Sequence, residues 1–391
     1  MLIGKQITVL GAGVAGLTVA RALALRGAEV TVLEQAEAIR EVGAGLQISP
    51  NGARVLHALG LGEVLAKAGP QAEAVELIDG ETETLVARLD LARHRPGAEY
   101  RFLHRARLID LLAEGAREAG VHIRLLQKID AVDLSGPKPR LTTHQGATIE
   151  CDFLVGADGL HSVLRKALNG DAAPFFTHQV AWRALVPARE DEPNRAQVFM
   201  GPGRHLVSYP LGNGLRNIVA IEERRRWVEE SWTLHDDALS LKTAFESFGP
   251  TVQNWLDEVE NPWLWGLFRH PVADHWYGRH CAILGDAAHP TLPFLAQGAV
   301  MAIEDAWVLA ECLATHDSEE AALAAYQAAR RPRTAAIVET ANQNAHNYHL
   351  TGIKRMVAHL GLRMASRMAP AQLLGRFDWV YGHDVTAGAD G

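Results

Sequence analysis

The first 34 residues leave this chain little freedom in how it can fold. "KQITVL" (5–10) is an apolar run of strand length, and "GAGVAG" (11–16) is a glycine turn. "VAGLTVARALALR" (14–26) reads as a helix stopped by Gly27, and "EVTVLE" (29–34) as a second strand. Gly11, Gly13 and Gly16 thus form G-x-G-x-x-G between a strand and a helix. The first glycine permits the tight turn, and the second lets backbone amides approach a pyrophosphate. The third lets the helix pack close to the strand, so that phosphates sit at its positive N-terminus. Glu34 ends the second strand, where a carboxylate accepts hydrogen bonds from a ribose diol. With strand, turn, helix, strand and acid in register, a bound dinucleotide is predicted. The fingerprint alone does not choose between FAD and NAD.

Three further stretches do. "FLVGADGLHSVLR" (153–165) reads as a strand ending in Ala157-Asp158-Gly159, followed by a helix. "CAILGDAAHPTLPFLAQGAVMAIEDAWVLAECL" (281–313) is a strand ending in Gly285-Asp286, a loop, and a long helix from about Gln297-Gly298. "FLHRARLIDLLAEGAREAG" (102–120) puts Arg105 just ahead of a helix. Asp286 at a strand end suits ribityl hydroxyls, and Arg105 suits phosphate or ribityl oxygens. A helix starting at Gly298 points a positive end at a flavin ring, favouring the negative charge of its reduced form. Taken singly, Asp286 reads equally as a helix cap, Arg105 as a surface cation and Asp158 as a turn residue. In this order and number they point to FAD.

Composition narrows the class. Of 391 residues, 48% are hydrophobic and 21% charged, which fits a globular chain with a large core. The formal charge of −8, with no basic block in the first 350 positions, argues against nucleic acid as a partner. Three cysteines (Cys151, Cys281, Cys312) without metal spacing fit a reducing compartment, and His346 and His349 in "HNYH" have no matching ligand cluster, so no metal is expected. The N-terminus lacks the pattern of a signal peptide, and no apolar run reaches the roughly 18 residues of a membrane span. A cytoplasmic location is expected.

Residues 179–273 are rich in alternating apolar positions and in tryptophan (Trp182, Trp227, Trp232, Trp255, Trp263, Trp265), as a β-sheet laid over the flavin would be. Within it, "GPGRHLVSYP" (201–210) alternates, so His205, Val207 and Tyr209 share one strand face. A histidine with an ordinary pKa near 6.5 suits the removal of a phenol proton. The same face reads without the surrounding fold as a half-buried wall with a satisfied core histidine. Arg183 and Arg216 in this segment are the cations considered for a substrate carboxylate.

These motifs resemble the single-component FAD-dependent aromatic hydroxylases, whose fold is that of p-hydroxybenzoate hydroxylase. The likeness runs in order through "GAGVAG", Glu34, "GAGLQISPNG" (43–52), "HRARL" (104–108), "GADGLHSVLR" (156–165), "AWRALVP" (181–187), "GDAAHP" (285–290), "AQGAVMAIEDA" (296–306) and "FDWVYGHD" (377–384). It is strongest toward the branch of salicylate hydroxylase, 3-hydroxybenzoate 6-hydroxylase and 6-hydroxynicotinate 3-monooxygenase. Many members carry glycine where Ala296 stands, and Asn or Cys where Val300 stands; neither change removes a backbone donor.

The resemblance implies an α/β (mixed α+β) fold, a Rossmann-like FAD-binding domain with a β-sheet substrate domain. The expected parts are flavin segments 1–75, 98–178 and 274–330, a substrate-domain excursion at 76–97, the sheet at 179–273 and a helical tail at 331–391. It implies FAD contacts at Gly11, Gly13, Ala15, Gly16, Glu34, Gln47, Arg105, Asp158, Asp286, Pro293, Gly298 and Ala299. It also implies His205 as base, Tyr209 lining the site and Gln297 beside the substrate, with His289 read as structural. Only one dinucleotide fingerprint is present, so if FAD occupies it the resemblance implies that NADH or NADPH binds transiently to reduce FAD. The cycle it implies would continue with O₂ addition to a C4a-hydroperoxyflavin, expected to hydroxylate a small phenolic or hydroxylated N-heteroaromatic acid. A larger ubiquinone-type or polyketide ring, or a non-oxygenating flavoprotein or redox sensor, remain the alternatives. A monomer or homodimer is expected.

The tail "IKRMVAHLGLRMASRMAPAQLLGRF" (353–377) holds Lys354, Arg355, Arg363, Arg367 and Arg376 with no acid, and Met356, Leu360, Met364 and Met368 at helical spacing. Packing of this helix on its own body or a second subunit is expected over a membrane surface.

Overall fold

The apolar runs flanking the glycine turn form parallel strands buried in the middle of a sheet. The computed structural model describes residues 2–39, 45–189, 191–224 and 235–388. Strand β1 (Gln6–Leu10), helix α1 (Val14–Ala24) and strand β2 (Glu29–Leu33) open the chain, followed by α2 (Pro50–Ala58). Next come β3 (Ala74–Asp79), β4 (Leu85–Asp90), β5 (His122–Arg124) and β6 (Phe153–Gly156). A run of long strands follows: β7 (Phe175–Pro187), β8 (Arg195–Gly201), β9 (Arg204–Gly212), β10 (Leu215–Glu223) and β11 (Trp263–Arg269). Then come β12 (Tyr277–Gly278), β13 (Cys281–Ile283), α3 (Gly298–Thr315), α4 (Glu319–Tyr348) and α5 (Gly352–Met368), with two short helices after it.

Two sheets organise these elements. The first has the order β12-β13-β6-β1-β2-β5, with β13, β6, β1, β2 and β5 parallel. Parallel strands buried on both faces need apolar residues nearly throughout, which is what Val9, Leu10, Val32, Leu154, Val155 and Ile283 supply. The second has the order β11-β7-β10-β9-β8-β3-β4 and is antiparallel apart from the β8–β3 pair. The strands of residues 74–90 therefore leave the first sheet's part of the chain to extend the second. Trp227 and Trp232 lie outside the described residues, as do Gly43 and Ala44 of the "GAGLQISPNG" stretch.

The second sheet separates its two faces by the period of two in a strand. Trp182, Ala184, Phe199, Leu206, Ile218 and Ala220 face a core closed by Phe245, Phe248 and Leu256. Arg183, Val198, His205, Val207, Tyr209, Val219 and Ile221 face the other way, onto a cavity of about 820 Å³ against the first sheet. A short two-stranded sheet of residues 45–48 and 101–104 is tied to the second sheet by a buried contact: the amide of Gly45 donates to Asn217 Oδ1 at 2.6 Å. Any Cβ at Gly45 would lie 2.6–2.9 Å from Leu211, Tyr209 and Asn217, so only glycine permits this approach.

Helix α5 packs on β4 through one side, burying His359. Its row of Met356, Leu360, Met364 and Met368, expected to pack, is exposed on this single chain. Among the described residues no helix is long and apolar enough to cross a membrane.

Candidate active site

The cavity begins at the glycine turn. Gly11 has φ +93°, a left-handed conformation that glycine adopts without penalty, and a Cβ there would sit 2.5 Å from the Ala157 carbonyl. A Cβ at Gly16 would lie 1.9 Å from the Gly11 carbonyl, so this residue serves the packing of α1 against the turn and does not line the cavity. Gly13 has open space where its side chain would be and lines the cavity with Gly11, Ala15 and Glu34. The Glu34 carboxylate is held in place by the Ala12 and Ala36 amides, at 2.7 and 2.8 Å.

Arg105, Asp158, Asp286, Pro293, Gly298 and Ala299 continue the lining. Asp158 accepts from the Val163 amide at 2.8 Å through one oxygen, while its other oxygen is buried without a partner. Burial raises its pKa. A buried oxygen left open toward a cavity awaits a donor, and a hydroxyl- or phosphate-bearing ligand with bound water supplies one. Helix α3 starts at Gly298 on the cavity wall, with its first-turn amides unsatisfied within the helix. Ala296, just before it, is left-handed (φ 53°, ψ 33°), which explains why glycine is favoured there in the family the sequence resembles. An acid for a ribose, an open glycine for a pyrophosphate and a helix N-terminus for a flavin ring are all present, so the residues fit FAD.

The far end of the cavity belongs to the second sheet. His205 is fully buried, and its Nε2 has no hydrogen-bond partner. The rings of Tyr348 and Phe294 lie 5.1 and 5.5 Å from the imidazole, centroid to centroid. Burial, reinforced by the neighbouring His349, holds its pKa well below the ordinary imidazole value, so it is neutral. Tyr209 packs on Phe102 at 5.0 Å and meets Gln47, which also accepts from the Tyr100 hydroxyl at 2.7 Å. Burial raises the Tyr209 pKa, so its hydroxyl stays protonated and is a donor, not a base. Arg183 stacks over Trp265 with its guanidinium carbon 4.3 Å from the ring centroid, on the cavity wall.

Two residues expected at the substrate are placed elsewhere. Arg216 is on the opposite face of the sheet, where its Nε donates to Glu192 at 3.0 Å, its Nη1 to Ser208 at 2.9 Å, and Trp255 covers it at 4.4 Å. The cause is a bulge. Asn213 and Gly214 both have positive φ, as a two-residue hairpin turn requires, and pair Gly212 with Leu215. An irregularity at Leu211 then shifts the register, so Arg216 pairs with Pro210 and takes the face that Tyr209 does not. Gln297 is buried off the cavity, donating to Ser49 Oγ at 3.0 Å and accepting from Asn51 at 3.2 Å. Asn51 also donates to Glu304 at 2.6 Å, linking α2 to α3.

Behind that contact lies a buried ionic cluster. Arg330 contacts both Glu304 and Asp305 at 2.7 Å, Arg333 donates to Glu304, and His289 bonds Asp305. Burial alone would raise the Asp305 pKa, but His289 and Arg330 outweigh it and hold the carboxyl at about 2. Asp305 also accepts from the Gly285 amide at 3.1 Å, which anchors the loop carrying Asp286. His289 is thus a structural member, buried and off the cavity.

Sequence reasoning missed the two residues behind His205. His349 bonds both His205 and Glu223, although "HNYH" offered no carboxylate nearby. The partners lie 144 and 126 residues away in the chain, beyond the reach of any local spacing.

A dinucleotide cradle running without interruption into a cavity roofed by an antiparallel sheet defines a flavoprotein oxidoreductase with room for a second small molecule. Residues 5–341 match the family model described as FAD binding domain, and the chain belongs to that family as an FAD-dependent aromatic monooxygenase. It is 34% identical to 3-amino-4-hydroxybenzoate 2-monooxygenase of Streptomyces platensis over 97% of this chain and 96% of that one. It is 33% identical to 3-hydroxybenzoate 6-hydroxylase of Polaromonas naphthalenivorans over 97% and 96%. In fold it is similar to a salicylate hydroxylase substrate complex, with TM-score 0.82, 24% identity and coverage of 98% and 96%.

Proposed function

We propose that this enzyme hydroxylates a small aromatic acid carrying a ring hydroxyl, at the expense of NADH or NADPH and O₂. The observation that carries the reading is the unpartnered Nε2 of His205, a neutral base on the wall of the cavity that also fits FAD. Bound FAD, once reduced by the nicotinamide, supplies the activation of O₂ for transfer of one oxygen atom to the ring. The protein binds and orients the ring and takes its proton. Removing the hydroxyl proton makes the ring more electron-rich, which favours attack on an electrophilic oxygen. Phe294 and Tyr348 pack on the imidazole, which is fully buried, so a hydroxyl reaches Nε2 only by displacing part of its cover.

Arg183 is the cation for the carboxylate, and Tyr209 donates to a polar group farther along the wall. Within the flavin segment, Gly11, Gly13 and Ala15 receive the pyrophosphate. Glu34 takes the ribose, Arg105 and Asp286 the ribityl–phosphate chain, and the N-terminus of α3 from Gly298 the ring edge. The cavity of about 820 Å³ must hold FAD and substrate together, which favours a single small ring over a prenylated or polycyclic one. The reading includes a cytoplasmic location, which the three free, buried cysteines suit, and a monomer or homodimer.

The test is NADH and NADPH oxidation against hydroxybenzoates, aminohydroxybenzoates and hydroxynicotinates, with the product weighed by mass spectrometry. A product one oxygen heavier supports the proposal. Peroxide in stoichiometric yield without product, across the whole panel, overturns it.

A further inference from the structure

His205 is the inner end of a chain of three side chains that reaches the surface. Its Nδ1 lies 2.7 Å from His349 Nε2, and His349 Nδ1 lies 2.8 Å from Glu223 Oε1. Exposure rises along the way: His205 is at 0%, the His349 side chain at 2% and the Glu223 side chain at 55%. Three elements converge to build it. β9 carries His205, β10 ends at Glu223, and His349 directly follows the last turn of α4.

The hydrogens on these rings follow from the outer end. An ionised carboxylate only accepts, so His349 must carry its hydrogen on Nδ1. A neutral imidazole then has a lone pair on Nε2, and His205 must donate to it from Nδ1. The lone pair of His205 is left on Nε2, the one nitrogen of the chain without a partner. Burial lowers the pKa of His349 too, despite Glu223, so both rings are neutral near pH 7. The groups facing His349 are His205 and Arg204 from β9, Glu223 from β10 and His346 from α4; those facing His205 are His349 and Tyr348.

We propose that His349 and Glu223 are positioning residues that set the tautomer of His205 and conduct its proton to solvent. The inference rests on His205 being the base. The substrate O–H bond breaks and its proton bonds to His205 Nε2. The Nδ1 proton of His205 passes to His349 Nε2, and the Nδ1 proton of His349 passes to Glu223 Oε1, which releases it to water. Each ring ends neutral in its other tautomer, the substrate is a phenolate, and one proton is in solution. Run backward, the same chain protonates the product phenolate and restores both rings. Neither imidazole is left charged, so the phenolate is the one charge that remains buried, whereas a lone buried imidazole would become an imidazolium.

The test uses the oxidised holoenzyme with ¹⁵N-labelled histidine, read by NMR. The wild type is expected to show Nδ1–H tautomers at both His205 and His349. An Nε2–H tautomer at either ring overturns the proposal. Exchange of the His205 Nδ1 proton with water is expected to slow at least tenfold in Glu223→Gln, a change at an exposed position that leaves the packing intact, and further in His349→Phe. Unchanged exchange in Glu223→Gln overturns the conducting role, even if His349→Phe fails to fold. His205→Ala separates this from the base assignment. If that variant hydroxylates as fast as wild type while the tautomers stand as derived, the base reading fails and the chain remains.

Discussion

Arginines 183 and 216 differ in face, and that difference predicts opposite phenotypes. In Arg183→Met the cavity loses a guanidinium that stacks on Trp265 at 4.3 Å, while methionine keeps much of the contact with the ring. A charge-assisted hydrogen bond to a carboxylate contributes about 1.5–3 kcal/mol, and every 1.4 kcal/mol is about tenfold. The dissociation constant for a hydroxybenzoate should therefore rise about 10- to 150-fold. For the matching hydroxybenzamide, which has no charge to lose, it should change less than about threefold. In Arg216→Met the loss falls on Glu192, whose side chain is only 20% exposed and keeps no other ion pair among the described residues. That variant should lose about 1–3 kcal/mol of stability with hydroxybenzoate affinity nearly unchanged. Flavin fluorescence titration measures the affinities in holoenzyme, and urea denaturation measures the stability. If Arg183→Met binds both ligands as the wild type does, while Arg216→Met loses acid binding without losing stability, the assignment of the substrate to the His205 face is refuted.

Three other outcomes follow from the same geometry. Gly13→Ala should leave the fold intact, since nothing lies within 4 Å of its Cβ, yet weaken FAD retention; Gly16→Ala, with its Cβ 1.9 Å from a carbonyl, should compromise folding itself, as circular dichroism of the two apoproteins will show. Arg330→Met should cost about 3–5 kcal/mol by leaving Glu304 and Asp305 buried with less positive charge, read by denaturant melts, and FAD should dissociate faster because Asp305 anchors the Gly285 loop. His205 and His349 both have folded-state pKa values below the ordinary imidazole value, so the unfolded chain binds more protons below about pH 6.5. Stability is complete above that pH and falls on acidification by up to about 1.4 kcal/mol per unit for each histidine. A His205→Asn, His349→Gln double variant should show a shallower loss between pH 7 and 5, and an equal slope would contradict the neutral-pair assignment.

Legibility in the sequence followed the kind of constraint involved. The glycine fingerprint, Glu34, the Asp158 and Asp286 turns and the helix start at Gly298 are backbone chemistry, and short spacings encode backbone chemistry well. The shared face of His205, Val207 and Tyr209 was also readable, because strand alternation is local. Side-chain direction after an irregular turn was not. The Asn213-Gly214 turn alone would pair Arg216 with Leu211 and put it on the face of Tyr209; the shift at Leu211 reverses that, and no residue type announces it. Gln297 is the residue just before a helix start, where a small change in direction decides between the cavity and Asn51. His349 and Glu223 were invisible for a third reason, since their partnership exists only once α4 has folded back onto the sheet.

The misplaced arginine nonetheless bears on the site. Because the side-chain period in a strand is two, a one-residue slip of β10 against β9 would exchange the two faces of β10, turning Val219 and Ile221 into the back core and Ile218 and Ala220 toward the cavity. Glu223 would lose its place beside His349 in the same step. Apolar residues on both faces of β10 make that slip cheap in hydrophobic terms, since either face finds an apolar environment. What discriminates is polar. In the observed register Arg216 meets Glu192, Ser208 and Trp255 on one face, and Asn217 meets the Gly45 amide on the other. A slip would take Arg216 from Glu192 and Ser208 and Asn217 from the Gly45 amide, and breaking the buried pairing of the arginine alone costs several kcal/mol. Arg216 acts on the cavity wall from behind, by favouring one register of that wall over the other.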